Sequence, residues 1–167
     1  MSQTHAMKTI LAAALLALAA CSPAANDPPA EGVDVPTPRN PFFGTWELTG
    51  ARIAPWWKGP GEDPAPDPAM TKFTLHADKT TGPPLLTCSK PSYSTNMVSQ
   101  RSLFQGNLPD PADDAASLGF TAPDVAVLSF TCSGNNADVS LDFAMLNEEK
   151  IMLGLDNVIY TFRRTGD

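Results

Sequence analysis

Few side chains in this 167-residue chain are arranged for reactive chemistry. It has two histidines, His5 and His76. His76 lies in Lys72-Phe-Thr-Leu-His-Ala77, where Phe73 and Leu75 alternate with polar neighbours. That period of two predicts a strand with His76 on the opposite face, toward solvent. No Ser–His–Asp or Cys–His arrangement can be assembled around it, so no catalytic residue is expected. Asp110, Asp113 and Asp114 are close enough in sequence to suggest a cation site. A helix start explains them better: Asp110 as N-cap, Pro111 in the first turn, two acids against the positive helix end, Gly119 as the stop. Asp138 and Asp142 share the outer face of an expected strand, whereas paired carboxylates for hydrolysis must line a cleft. Glu148-Glu149 reads as a solvated turn. Gly59-Pro-Gly61 punctuates a loop and opens no helix, so it makes no phosphate cradle. The expectation is a chain that is not an enzyme, with no metal and no cofactor.

The thiols are more informative. Met7-Lys8 precedes a short apolar run, Thr9 to Ala20, which ends in Leu18-Ala-Ala-Cys21. A basic start, an apolar middle and small residues at the end are the parts of an export signal. The run is about half of the ~20 apolar residues that would span a bilayer. With Cys directly after the small residues, the segment resembles the signal of bacterial lipoproteins, with translation starting at Met1 or Met7. The resemblance implies that residues 1–20 are removed and that Cys21 becomes an acylated first residue. Ser22, rather than Asp, then points to the outer membrane, with the domain facing the periplasm. Cleavage would leave 147 of the 167 residues, enough for one domain, with 10 basic and 18 acidic side chains and a net charge of −8. Such a chain is not expected to bind nucleic acid, which needs clustered Lys and Arg. The membrane is its expected partner through acylated Cys21 alone. In an oxidising compartment the two remaining thiols, Cys88 and Cys132, are expected to form a disulfide.

Residues 21–41 are rich in Pro, Ala and acids and read as a disordered, extended tether reaching roughly 60 Å. The folded domain is expected over 42–167. Trp46 and Leu48 alternate with polar residues in a first strand. A long Pro/Gly loop, Ala54 to Pro68, carries the adjacent indoles Trp56 and Trp57. These either fold down to plug the domain, or form a binding site as a cavity lid or an anchor for a protein partner. Further strands are expected over Lys72–Ala77, Thr80–Thr87 and Tyr93–Val98. After one short helix come Val125–Cys132, Asp138–Met145, Lys150–Leu155 and Val158–Arg164. Asp156-Asn157 between the last two suits a tight hairpin.

Eight strands and short links predict a mainly β fold, a small antiparallel eight-stranded barrel with one short helix. Gly44-Thr45-Trp46 at the first strand, a long first loop and Arg164 on the last strand look like the lipocalin-like barrels. That resemblance implies that Trp46 packs across the closed end of the barrel and that Arg164 covers it. The whole order of parts also resembles small envelope lipoproteins of proteobacteria, some of which inhibit lysozymes or proteases. Three functions are therefore open. The domain is a non-catalytic binding module for a small apolar ligand or an envelope protein, an inhibitor of a lytic enzyme, or a structural lipoprotein.

Overall fold

The structure is a computed structural model that describes residues 39–60, 62–133 and 138–166. The export signal, Cys21, most of the expected tether and the Gly134-Asn135-Asn136 turn lie outside the described residues.

The chain forms eight antiparallel strands in one sheet: β1 (Gly44–Ile53), β2 (Lys72–Leu75), β3 (Thr80–Thr81), β4 (Ser92–Ser99), β5 (Asp124–Cys132), β6 (Val139–Asn147), β7 (Lys150–Leu155) and β8 (Val158–Gly166). Their order is β3-β2-β1-β8-β7-β6-β5-β4. Every pair of consecutive strands except β3 and β4 is hydrogen-bonded, and β1 joins β8. The expected mainly β, lipocalin-like architecture is therefore present, with the sheet curled as a half-barrel. The β7–β8 turn is the predicted hairpin, with Asp156 at φ 49° and Asn157 at φ 65°. Helix α1 (Pro111–Leu118) begins and ends as the sequence predicts. The Asp110 side chain accepts from the Asp113 amide, the Asp114 carboxylate accepts from the Asp110 amide, and Gly119 closes the helix in the left-handed region.

The third strand is shorter than expected. It stops after Thr81 instead of continuing to Thr87. Gly82 turns the chain at φ 150°, and a Cβ there would lie 2.6 Å from the Phe73 Cβ. Pro83 and Pro84 have no amide to give to a ladder. The Leu86 and Thr87 amides instead both donate to the Pro83 carbonyl, and a single bridge, Thr80 to Cys88, resumes the edge. No ladder joins the β3 and β4 edges. Side chains link them: the Tyr93 hydroxyl donates to the His76 carbonyl at 2.9 Å, and Cys88 is disulfide-bonded to Cys132 on β5. His76 itself is exposed, as its parity predicts.

Two cores flank the sheet. The inner one fills the barrel with Phe42, Trp46, Phe73, Phe130, Phe143 and Phe162, all but inaccessible to water. The outer one lies on the convex face of β5–β8. There Val125, Val127, Ala144, Met152 and Ile159 meet α1 and a 3-10 segment, Gln100–Gly106. Ile151-Met152-Leu153 explains both cores. Ile151 and Leu153 face inward and Met152 outward, so this strand is a continuous apolar run because both of its faces are covered.

Candidate functional site

At one end of the barrel the structure brings Gly44, Trp46 and Arg164 together. Trp46 and Arg164 are paired across β1 and β8. The guanidinium lies 4.3 Å from the centroid of the Trp46 ring. It donates to the carbonyls of Phe43 at 2.6 Å, Glu148 at 3.0 Å and Pro41. The Trp46 indole N–H donates to the Phe42 carbonyl at 2.8 Å. Gly44 leaves room for this. A Cβ there would lie 2.5 Å from Arg164 Nη1. The guanidinium and the indole N–H both bond to other parts of the domain, so the cluster closes the barrel end. Pro41 and Asn40 belong to the closure: the Asn40 side chain accepts from the Phe42 amide and donates to Thr95 on β4. The folded part therefore starts slightly earlier than residue 42.

Cys88 and Cys132 are bonded, with Cα atoms 6.0 Å apart. Beside them Tyr93 packs on Phe43 and Phe130. Burial, and secondarily the Asp78 carboxylate, push the Tyr93 hydroxyl up to about 12. It therefore remains a hydrogen-bond donor to His76 across the neutral range.

The two indoles of the Pro-rich loop separate. Neither enters the barrel. Trp57 lies over its own loop, where a Cβ on Gly59 would meet its ring at 2.6 Å. Trp56 turns onto the outer face of the sheet. Its indole N–H donates to the Asn157 side chain at 3.1 Å, and its ring lies 5.7 Å from that of Phe104. Both indoles remain half-buried. Gly154 on β7 makes this packing possible, since a Cβ there would come 2.9 Å from Phe104 and 3.2 Å from Trp56. The two rings lie directly on the strand backbone.

Phe104 is the residue that sequence reasoning missed. It has φ 50° and ψ 43°, and Gln105 follows at φ 62° and ψ 27°. Two successive non-glycine residues in the left-handed region cost roughly 1–2 kcal/mol each. The strain holds the Phe104 ring between Trp56, Phe120 and the floor of the sheet. Gly106-Asn107-Leu108-Pro109 is the turn signal that marks this bend in the sequence. Beneath the bend run two small cavities, of about 90 and 50 Å³. They share Phe104 and Asp142 as lining. Asp142 faces outward, as its parity predicts, but into this cleft. The Ser129 hydroxyl donates to it at 2.7 Å.

Among the described residues no group of three or more His, Cys, Asp or Glu is placed to hold a metal, and no helix is long and apolar enough to cross a membrane. No family model, curated protein or solved structure matches this chain.

Proposed function

We propose that the chain is a lipid-anchored bacterial envelope lipoprotein, held in the outer membrane through acylated Cys21, whose domain is a non-catalytic module that binds an envelope protein. The observation that carries the second half is the filled barrel. Phe42, Trp46, Phe73, Phe130, Phe143 and Phe162 occupy the space that an apolar ligand would need. This supports recognition on the outside, where Trp56 and Trp57 remain half-buried beside exposed Lys58. Trp is enriched among residues that anchor partners, because a large ring with one polar edge contributes much apolar contact for little lost freedom. A photo-crosslinking side chain in place of Lys58, in cells, tests the reading. One envelope protein should be captured reproducibly, and Trp57→Ala should weaken its capture. A fluorescent fatty acid should find no saturable site on the purified protein. Saturable fatty-acid binding without any crosslinked partner would replace this reading with that of an apolar-ligand carrier.

A further inference from the structure

We infer that Asp142 anchors a site for a cationic side chain, the guanidinium of an arginine or the ammonium of a lysine. The inference rests on the reading of the domain as a protein-binding module and specifies what its partner presents.

The site begins with strand register. Ser94 on β4 is opposite Ser129 on β5, and Ser129 is opposite Asp142 on β6. The β6–β7 register, in which Phe143 faces Leu153, continues the row to Gly154. Leu141 and Phe143 point into the barrel, so Asp142 and its row lie on the convex face. Most of that face under the helix and the 3-10 segment is apolar. Here polar side chains line two cavities, both of which have Asp142 and Phe104 as lining.

The chemistry of the lining selects the ligand. One oxygen of Asp142 accepts from Ser129, and among the described residues no Lys or Arg is paired with the carboxylate. Neither cavity is lined by a basic residue. Asn96, Ser102, Gln105 and Asn107 also line the cavities, and their side chains can accept an N–H. Trp56 and Phe104 line one of them, and an aromatic ring attracts a cation placed over its face. A carboxylate, acceptor oxygens and aromatic rings together favour a positive group rich in N–H donors, and disfavour an anion.

The size is compatible with such a head. Cavities of about 90 and 50 Å³ admit the compact end of a side chain, such as a guanidinium or an ammonium with its last methylene. Lys and Arg carry such a head on a long stem, so the rest of the partner can remain outside. The chain's net charge of −7 steers a basic partner toward it.

Titration of the isotope-labelled full chain tests the site. The probes are N-acetyl-arginine amide, N-acetyl-lysine amide and N-acetyl-citrulline amide, the last a neutral isostere of the first. The amides of Phe104, Asp142 and Gly154 should shift and saturate with one or both cations. Citrulline should bind at least tenfold more weakly. Asp142→Asn, which retains an acceptor for Ser129, should weaken cation binding at least tenfold while amide positions elsewhere are unchanged. The citrulline comparison needs no mutation and so does not depend on the variant folding. Equal saturation by citrulline, undiminished binding to Asp142→Asn, or no shift with any probe would each overturn the site. Crosslinking from position 58 separates this from the broader reading: a partner still captured by Asp142→Asn at wild-type yield sinks the cation site and leaves the binding module standing.

Discussion

Arg164 ties the last strand to the segment that precedes β1 and to the β6–β7 turn through backbone carbonyls, with Trp46 beneath it. The energetic order of the pair follows from what each loses on truncation. Trp46→Ala removes a fully buried bicyclic ring from the barrel core and should cost roughly 3–5 kcal/mol. Arg164→Ala removes a cation–π contact and donors to three carbonyls near the surface, about 1–3 kcal/mol. Denaturant melts of the two single variants and the double variant should give a coupling of about 0.5–2 kcal/mol, and strictly additive losses would mean that the contact contributes nothing. Tyr93 makes a second prediction at this scale. Its hydroxyl ionises near 10 in an unfolded chain and about 12 in the fold. The unfolded chain therefore releases this proton first as pH rises. The contribution is fully present below about pH 10 and is lost progressively between 10 and 12. Tyr93→Phe should flatten the alkaline fall in melting temperature. An alkaline limb identical to wild type would show that Tyr93 is not its source. The inward Trp46 and the outward His76 were legible because strand parity needs only local sequence, while Arg164 over Trp46 was what the resemblance to lipocalin-like barrels implied. Phe104 was not, because the Trp56 ring and the Gly154 backbone on which it packs lie far from it along the chain.

The elements show where local sequence suffices and where it does not. The β5–β8 meander and the capped helix were readable because turn residues, caps and alternation agree within a few residues of one another. The third strand was overextended because a run of Thr, Leu and Thr has strand propensity, while Gly82-Pro83-Pro84 forbids the ladder. The outer core was invisible because the sequence does not say which face of the sheet receives the helix. Ile151-Met152-Leu153 and Val158-Ile159-Tyr160 were its trace, since alternation fails where both faces are buried. The disulfide belongs to this scale because it replaces a missing ladder. It joins the β3 edge, through Cys88, to β5 across a sequence separation of 44. In the chain-entropy account such a loop is worth about 4 kcal/mol. Cys132→Ser should therefore lower the melting temperature by roughly 10–20 °C. Alkylation of the folded, unreduced protein should label neither thiol, and free reaction of both would show that the native state is reduced. The strained bend adds a prediction of opposite sign. Gln105→Gly occupies the left-handed region without steric cost, so it should leave stability unchanged or raise it by up to about 1 kcal/mol. A loss of several kcal/mol would mean that the Gln105 side chain is itself essential to the cleft.

At the scale of the whole molecule, the proposed attachment can be compared with what the described surface presents. Its large exposed apolar side chains are Ile53 and Met97, and the chain carries a net charge of −7, which anionic headgroups repel. Attachment in the proposed function therefore falls on Cys21. One acyl chain gives only reversible binding, and two or more give a stable anchor. Mass spectrometry of the N-terminal peptide should find Cys21 as the first residue, carrying acyl mass. Cys21→Ser should move the protein from the membrane fraction to the soluble fraction of the periplasm, or leave an unprocessed precursor. The variant should retain the melting temperature and the cation titration of the wild-type domain, because the core residues and Asp142 pack and bond within the described domain. An unmodified peptide that still contains residues 9–20, or a Cys21→Ser protein that stays bound to the outer membrane, would remove the anchor from the proposal. In the second case the exposed side chains of Ile53 and Met97 would each be a place to look for another mode of attachment.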